Sequence, residues 1–388
     1  VRPFIVGVGR AGTRIANLFL LKGYKGILLD SERSDLVYFP YKYKILLGEK
    51  FVDGNGTGKD LDLGRKIMDA EKYNIVDRMD QVKDTDMDSI FVFSGMGGGT
   101  GGAVDILIEE LRKSYTEPVY YTGIMPSVED YDNVLINFSE NFKRLGASAH
   151  AIFPIDTDLL RGDRRLRGMY NLINKQIFSY FFNLFQIGDY RSREELGKNV
   201  LGTTDVINTL AGVSTIGVGS YGLDEDEFRL SKHQENVDKP ELVVSLTKKA
   251  VEETLLHFDI KGANRAMAVV YGPKRYLDFL GSIPARLWVE KNIGGVEVRG
   301  GDIPSPGKKN FEVMVLLSGI KKSERLRYLY QLGKIQKDKG AYSEKISQVF
   351  DRLKMLNSKI DAAGDDSKSI YDDLKGIMDE GANDKESI

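Results

Sequence analysis

Residues 95–102 read Gly95-Met96-Gly97-Gly98-Gly99-Thr100-Gly101-Gly102. The apolar run before them, Ser89-Ile90-Phe91-Val92-Phe93-Ser94, reads as a buried strand. The run after them, Ala103-Val104-Asp105-Ile106-Leu107-Ile108-Glu109-Glu110-Leu111, reads as an amphipathic helix. Consecutive glycines between a strand and a helix let the main chain approach an anion closely, because no Cβ stands in the way. Their N–H groups and the partial positive charge of the helix start then face phosphate oxygens. Thr100 adds a hydroxyl donor at the same place. No Lys lies in the loop, which separates it from the Gly-x-x-x-x-Gly-Lys-Ser/Thr phosphate loop. A flexible linker is the bland alternative, and the apolar strand and amphipathic helix flanking the loop directly argue against it.

Outward from this loop the chain alternates strands with helices. Pro3 to Val8 predicts a first strand, followed by the turn Gly9-Arg10-Ala11-Gly12-Thr13 into a helix reaching about Leu21. Gly26 to Asp30 and Tyr43 to Leu47 predict the next two strands, and Pro118 to Ile124 and Ala149 to Pro154 the fifth and sixth. Such alternation predicts a doubly wound parallel sheet whose ligand lies beyond the carboxyl ends of the strands. Gly7-x-Gly9-x-x-Gly12, with Asp30 ending the second strand, also has the look of a dinucleotide fingerprint, in which Asp30 would meet a ribose hydroxyl. Alone it favours an NAD-binding oxidoreductase. The second glycine cradle at 97–101 tips the balance, because a nucleotide with three phosphates can use both loops.

These motifs resemble those of the tubulin/FtsZ superfamily. The glycine triplet, Thr and Gly match that family's signature loop, and Gly7, Gly9, Ala11 and Gly12 match its first loop. The Gly-Gly end of the signature loop, Val206 to Leu210 and Val213 to Gly217 resemble the archaeal CetZ branch, which is associated with cell shape. The resemblance implies a GTPase that binds GTP and GDP with Mg²⁺, the metal being held mainly by phosphates and water. Gly56, Thr57 and Gly58 resemble the loop that senses the γ-phosphate; Gly58-Lys59 is no Walker motif, since Asp60 stands where Ser/Thr is needed. Pro126, Glu129 and Asp130 resemble the ribose loop. Asp156 and Thr157 fall where the family contacts sugar and base, with Thr157 in a position often held by Asn. Tyr170 and Asn174, one helical turn apart, resemble the stacking aromatic and the Asn that reads the guanine edge; the bland reading makes Tyr170 core and Asn174 an ordinary helix residue.

The same resemblance implies head-to-tail self-assembly, with one subunit's nucleotide hydrolysed by carboxylates on the next. The matching stretch is Val200-Leu201-Gly202-Thr203-Thr204-Asp205. Asp205 takes the last acidic position, Gly202 replaces the first, and Val200 replaces an Asn that Asn199 misses by one residue. Asp205 is thus the one catalytic candidate, with an N-cap of the next helix as its bland reading. A GTP-binding filament protein with little hydrolysis is the alternative.

At 388 residues the chain has room for two cores. The expected division is a nucleotide-binding domain at 1–168, a long central helix at 169–187, a smaller second α/β domain at 188–320, and a helical, acidic, partly disordered extension at 321–388. In the second domain Lys248 to Phe258 predicts a helix. Val213 to Gly219, Arg265 to Tyr271, Val296 to Val298 and Phe311 to Leu317 predict strands. In the extension, apolar residues from Ile346 to Ile360 recur at helical spacing. The formal net charge of −2 gives no general drive toward nucleic acid; Arg161, Arg164, Arg165 and Arg167 read as a solvated loop. Without cysteine there is no disulfide or thiolate metal site, and the three histidines form no ligand motif. No signal peptide or membrane-spanning run is visible, so a cytoplasmic protein is expected, whose partners are further copies of itself and cytoskeletal or membrane adaptors.

Overall fold

A computed structural model describes residues 1–162, 169–189, 197–222, 239–274, 276–277, 281–295, 297–305 and 310–340. Arg164, Arg165, Arg167, Val296, the helical spacing at 346–360 and the acidic tail lie outside the described residues. Residues Val1–Gly333 form one compact unit; in the second, Lys334–Ile388, the described residues 334–340 are helical.

The first unit opens with β1 (Pro3–Val8), α1 (Gly9–Leu20), β2 (Gly26–Asp30), α2 (Arg33–Val37), β3 (Lys44–Leu46), α3 (Glu49–Val52) and α4 (Leu61–Asp80). Then come β4 (Ser89–Gly95), the single turn α5 (Gly99–Gly102), α6 (Val104–Ser114), β5 (Val119–Ile124), α7 (Asp132–Ser148), β6 (Ala151–Ile155), α8 (Thr157–Arg161) and the central helix α9 (Tyr170–Gln186). It continues with α10 (Thr203–Thr209), β7 (Gly212–Val213), β8 (Thr215–Gly222), α11 (Lys239–Glu252), β9 (Arg265–Gly272), α12 (Ile283–Asn292), β10 (Glu297–Pro304) and β11 (Asn310–Ser318). Among the described residues, seven strands form one sheet in the order β3-β2-β1-β4-β5-β6-β7, every pair parallel. Four form a second, β10-β9-β11-β8, in which β11 runs antiparallel to both neighbours.

The strand sequences explain the layering. Alternate residues face opposite ways, and here both faces are apolar. Ile5, Phe91, Phe93, Tyr120 and Phe153 point toward α1 and α9, while Phe4, Val6, Val8, Ile90, Val92 and Tyr121 join the core beneath α4, α6 and α7. Phe181 of α9 meets Phe91, Phe93 and Phe153 nearly edge-on, at ring centroids 5.1–6.0 Å apart. The same core continues through Ile216, Met267, Val269 and Leu316 of the second sheet. α11 and α12 cover that sheet's other face through Val243, Ala250, Ala285 and Val289. α9 is not enclosed all round. Ile173, Ile177, Phe181 and Leu184 are buried, but Leu172 is 54% exposed.

α1 begins at Gly9 itself and lies hard on β4, where a Cβ at Gly12 would come within 1.9 Å of the Phe93 carbonyl oxygen. Two predicted elements differ. The run Val213 to Gly219 is not one strand: it breaks at Ser214, so that Val213 ends the first sheet and Thr215 begins a strand of the second. The buried Ser214 donates its N–H to Ile152 of β6, and its hydroxyl shares a 2.8 Å hydrogen bond with Ser318 of β11. The helix expected at Lys248 to Phe258 ends at Glu252, because the next residues extend to bridge β8: Leu255 N–H donates to the Ile216 carbonyl.

Candidate nucleotide-binding site

The strand order reverses direction between β1 and β4, and an open parallel sheet leaves a crevice at that point beyond its carboxyl ends. The turn after β1 and the glycine loop after β4 both open there. Gly9 has φ +69°, and a Cβ on it would stand 3.3 Å from the Gly101 amide nitrogen. Two glycine turns therefore lie main chain to main chain. Beneath them the Ser94 hydroxyl donates to the Gly101 carbonyl at 2.9 Å and bonds the Tyr121 hydroxyl at 2.8 Å, which fixes the loop from below.

Two further loops reach the same place. The Thr100 hydroxyl lies 2.6 Å from that of Ser31, just past β2, and 3.4 Å from that of Thr57 in the loop carrying Gly56 and Gly58. Gly56 N–H donates to the Ser31 carbonyl at 3.1 Å. Three hydroxyls from three loops thus meet beside the glycine turns, all in residues no more than 9% exposed. Asp30 is 3% exposed; its Oδ1 accepts the Glu32 N–H, while its buried Oδ2 has no hydrogen-bond partner. Burial pushes this carboxyl up to about 6, Asp35 adding to the rise, while the main-chain donors and Arg10 pull the other way. A ligand hydroxyl or a metal-bound water would satisfy that oxygen. Among the described residues no group of three or more His, Cys, Asp or Glu could hold a metal ion alone, so a cation here would need ligands from outside the chain.

The remaining candidates fall into groups. Arg10 points outward, its Nε donating to both oxygens of Asp35, and the Thr13 hydroxyl turns back on its own helix to the Gly9 carbonyl. Ala11 and Gly12 lie in the first turn of α1. Gly97 and Gly98 lead into α5, which contains Gly99, Thr100 and Gly101. Past Pro126, the Asp130 carboxylate accepts Ser127 N–H at 2.8 Å, and Glu129 pairs with Arg161. This loop is joined to the next, since Val128 N–H donates to Asp158. Asp156 caps α8 and is held by Arg325, with Nε 2.8 Å from Oδ2, while the same guanidinium reaches Asp158 at 2.6 Å. Thr157 is buried. Tyr170, 45% exposed, starts α9, and the half-buried Asn174 follows one turn later.

Asp205 stands apart from these loops in its bonding. It is not the N-cap of α10; Gly202 is, and Asp205, in the first turn, reaches back to accept the Gly202 N–H at 2.8 Å. Its other oxygen pairs with Arg299 of β10, which also pairs with Glu297. Asn199 is committed elsewhere, its Nδ2 2.9 Å from Asp302. Ser31, Asn137, Arg299 and Arg325 are absent from the sequence-derived set. Only Ser31 carried a signal, its position at the carboxyl end of a strand beside Asp30. The other three matter through partners far away in the chain.

Residues 4–162 match the model of the Tubulin/FtsZ family GTPase domain, and residues 163–334 that of the tubulin-like CetZ C-terminal domain. The tubulin-like protein CetZ1 of Haloferax volcanii is 31% identical over 357 residues, covering 84% of this chain and 90% of that protein. The structure of GDP-bound monomeric CetZ1 from the same organism superposes with a TM-score of 0.76 at 29% identity, over 87% of this chain and 100% of the other. CetZ2 of H. volcanii, solved as a GTPγS-bound protofilament, gives 0.76 at 27% identity over 88% and 100%.

Proposed function

Since the chain belongs to the tubulin/FtsZ superfamily, within its CetZ branch, we propose that it is a cytoskeletal GTPase that binds GTP and GDP, polymerises head to tail and acts in cell shape or division. The observation that carries this reading is the meeting of the Gly9 turn and the Gly97–Gly101 loop at the sheet's switch point. Amides of these two turns take the phosphates. The hydroxyls of Ser31, Thr57 and Thr100 add donors at the triphosphate end, and Gly56 and Gly58 allow their loop to follow the γ-phosphate. Pro126, Glu129, Asp130, Asp156 and Thr157 border the sugar, with Tyr170 stacking on the base and Asn174 reading its edge. Magnesium, when bound, neutralises charge across the phosphates. The free oxygen of Asp30 fits a water of its shell.

Asp205 lies on the second sheet's side and is bonded there, so its catalytic use requires the next copy along a filament. A contact between two different surfaces repeats without closing and builds a filament. Arg299 and the Gly202 N–H hold the Asp205 carboxylate in one orientation, which serves to position a water for in-line attack. Gly202 and Val200 leave it without the family's other polar groups, and this favours slow hydrolysis. No helix among the described residues is long and apolar enough to cross a membrane.

The test combines nucleotide identification in purified protein with phosphate release and sedimentation across protein concentrations. Release per subunit should rise with concentration, and Asp205→Ala should lower it about 100-fold or more, the scale of losing a positioned catalytic group, while leaving nucleotide binding intact. Release strictly proportional to protein, or unchanged in Asp205→Ala, rejects the shared site. A bound nicotinamide dinucleotide rejects the GTPase.

A further inference from the structure

We propose that Asn137 is a positioning residue that ties the Gly56–Lys59 loop to the glycine loop, so that the two close on a triphosphate as one piece. The inference rests on the nucleotide reading above and adds to it a device for telling a triphosphate from a diphosphate. Asn137 lies on α7 and is 7% exposed. Its Nδ2 donates to the Lys59 carbonyl at 2.9 Å and to the Gly97 carbonyl at 3.1 Å. An amide nitrogen carries two hydrogens, and each is committed to a main-chain oxygen of a different loop.

The same helix secures each loop a second time. Tyr131, the residue before α7, lies beneath the Lys59 ammonium, 4.6 Å from Nζ to the ring centroid. Val134 packs on Gly97, where an added Cβ would fall 2.4 Å from the valine Cγ1. Asn141 donates to the Met96 carbonyl at 3.2 Å. Lys59 also has φ +68°, a conformation a side-chain-bearing residue holds only when its surroundings enforce it. The bond from Asn137 and the ring of Tyr131 supply that enforcement. The bonds of Asn137 end on main-chain carbonyls, so it acts on a nucleotide through the loops. With the tie cut, the glycine loop still cradles two phosphates, while the Gly56–Lys59 loop keeps its contacts to Ser31 and Thr100 at one end and loses its hold at Lys59.

The experiment measures equilibrium binding of GDP and of a thiotriphosphate analogue of GTP to the full chain at fixed magnesium. Asn137→Leu should weaken the analogue about tenfold or more and GDP by less than about threefold, since only the triphosphate analogue has to bear the cost of re-ordering the untied Gly56–Lys59 loop. Asn141→Leu, which cuts a bond to the glycine loop and none to the Gly56–Lys59 loop, should weaken both nucleotides together. If Asn137→Leu does not fold, Asn137→Ser, small enough to admit water, carries the same test with the same direction. An equal loss for both nucleotides, or no loss for either, in a variant that melts cooperatively overturns the tie while the nucleotide reading stands. Wild-type protein binding neither nucleotide overturns both.

Discussion

Asp30 sits in an environment that costs the fold stability. A carboxyl titrating near 6 instead of 3.8 penalises the ionised folded form. Below pH 3.8 the group is neutral in both states and the penalty is nil. As pH rises the unfolded chain loses its proton first, so stability falls, and above about 6 the full cost, about 3 kcal/mol, is present. Asp30→Asn should therefore raise the stability of nucleotide-free protein by up to about 3 kcal/mol at about pH 8 and by almost nothing near pH 4, read from denaturant melts at both. The amide oxygen still accepts the Glu32 N–H, so the gain comes from removing charge. The same variant should bind GTP less well, the trade expected where a site keeps a strained group for its ligand. Arg325 is the opposite case. It compensates the buried carboxylate of Asp156, and Arg325→Ala should cost about 3 kcal/mol, seen as a lower melting temperature, because it leaves that charge alone.

α1 shows how one element can be fixed by a single missing atom group. Gly12→Ala would drive a methyl into the Phe93 carbonyl, push α1 off β4 and displace the Gly9 turn that α1 begins. A loss of about 2–4 kcal/mol, together with weakened nucleotide binding, is expected from denaturant titration and from binding isotherms. The first sheet was largely legible because β1, β2, β4 and β5 are mostly apolar runs and glycines mark where β1 and β4 end. The second sheet was read less well. Leu255 and Leu256 keep an apolar pattern going past Glu252, and only pairing with β8 reveals that the helix has stopped. The break at Ser214 leaves only a faint mark, a change of phase between Val213 and the Ile216/Val218 pair. In the site the glycine loops announced themselves by composition. Asn137, Arg299 and Arg325 did not, because a polar residue on a helix or strand says nothing about which distant carbonyl or carboxylate it will meet.

At the scale of the whole molecule, the cradle and Asp205 are bonded into different sheets, so under the proposed function a filament of such chains would place its chemistry at junctions. Phosphate release per subunit should then collapse below the concentration at which sedimentable polymer disappears, and a mixture of Asp205→Ala protein with wild type should lower the rate by more than dilution explains, measured at constant total protein. Inside one chain the sheets are themselves joined at Ser214, whose amide is held by β6 and whose hydroxyl is held by the end of β11. No slack separates them. Tension applied along a polymer of such chains would pass from one half of the subunit to the other through that pinned peptide and the core the two sheets share, so pulling on an isolated molecule with tweezers should give one rupture for both halves rather than two successive ones, and Ser214→Ala should lower the force at which it happens.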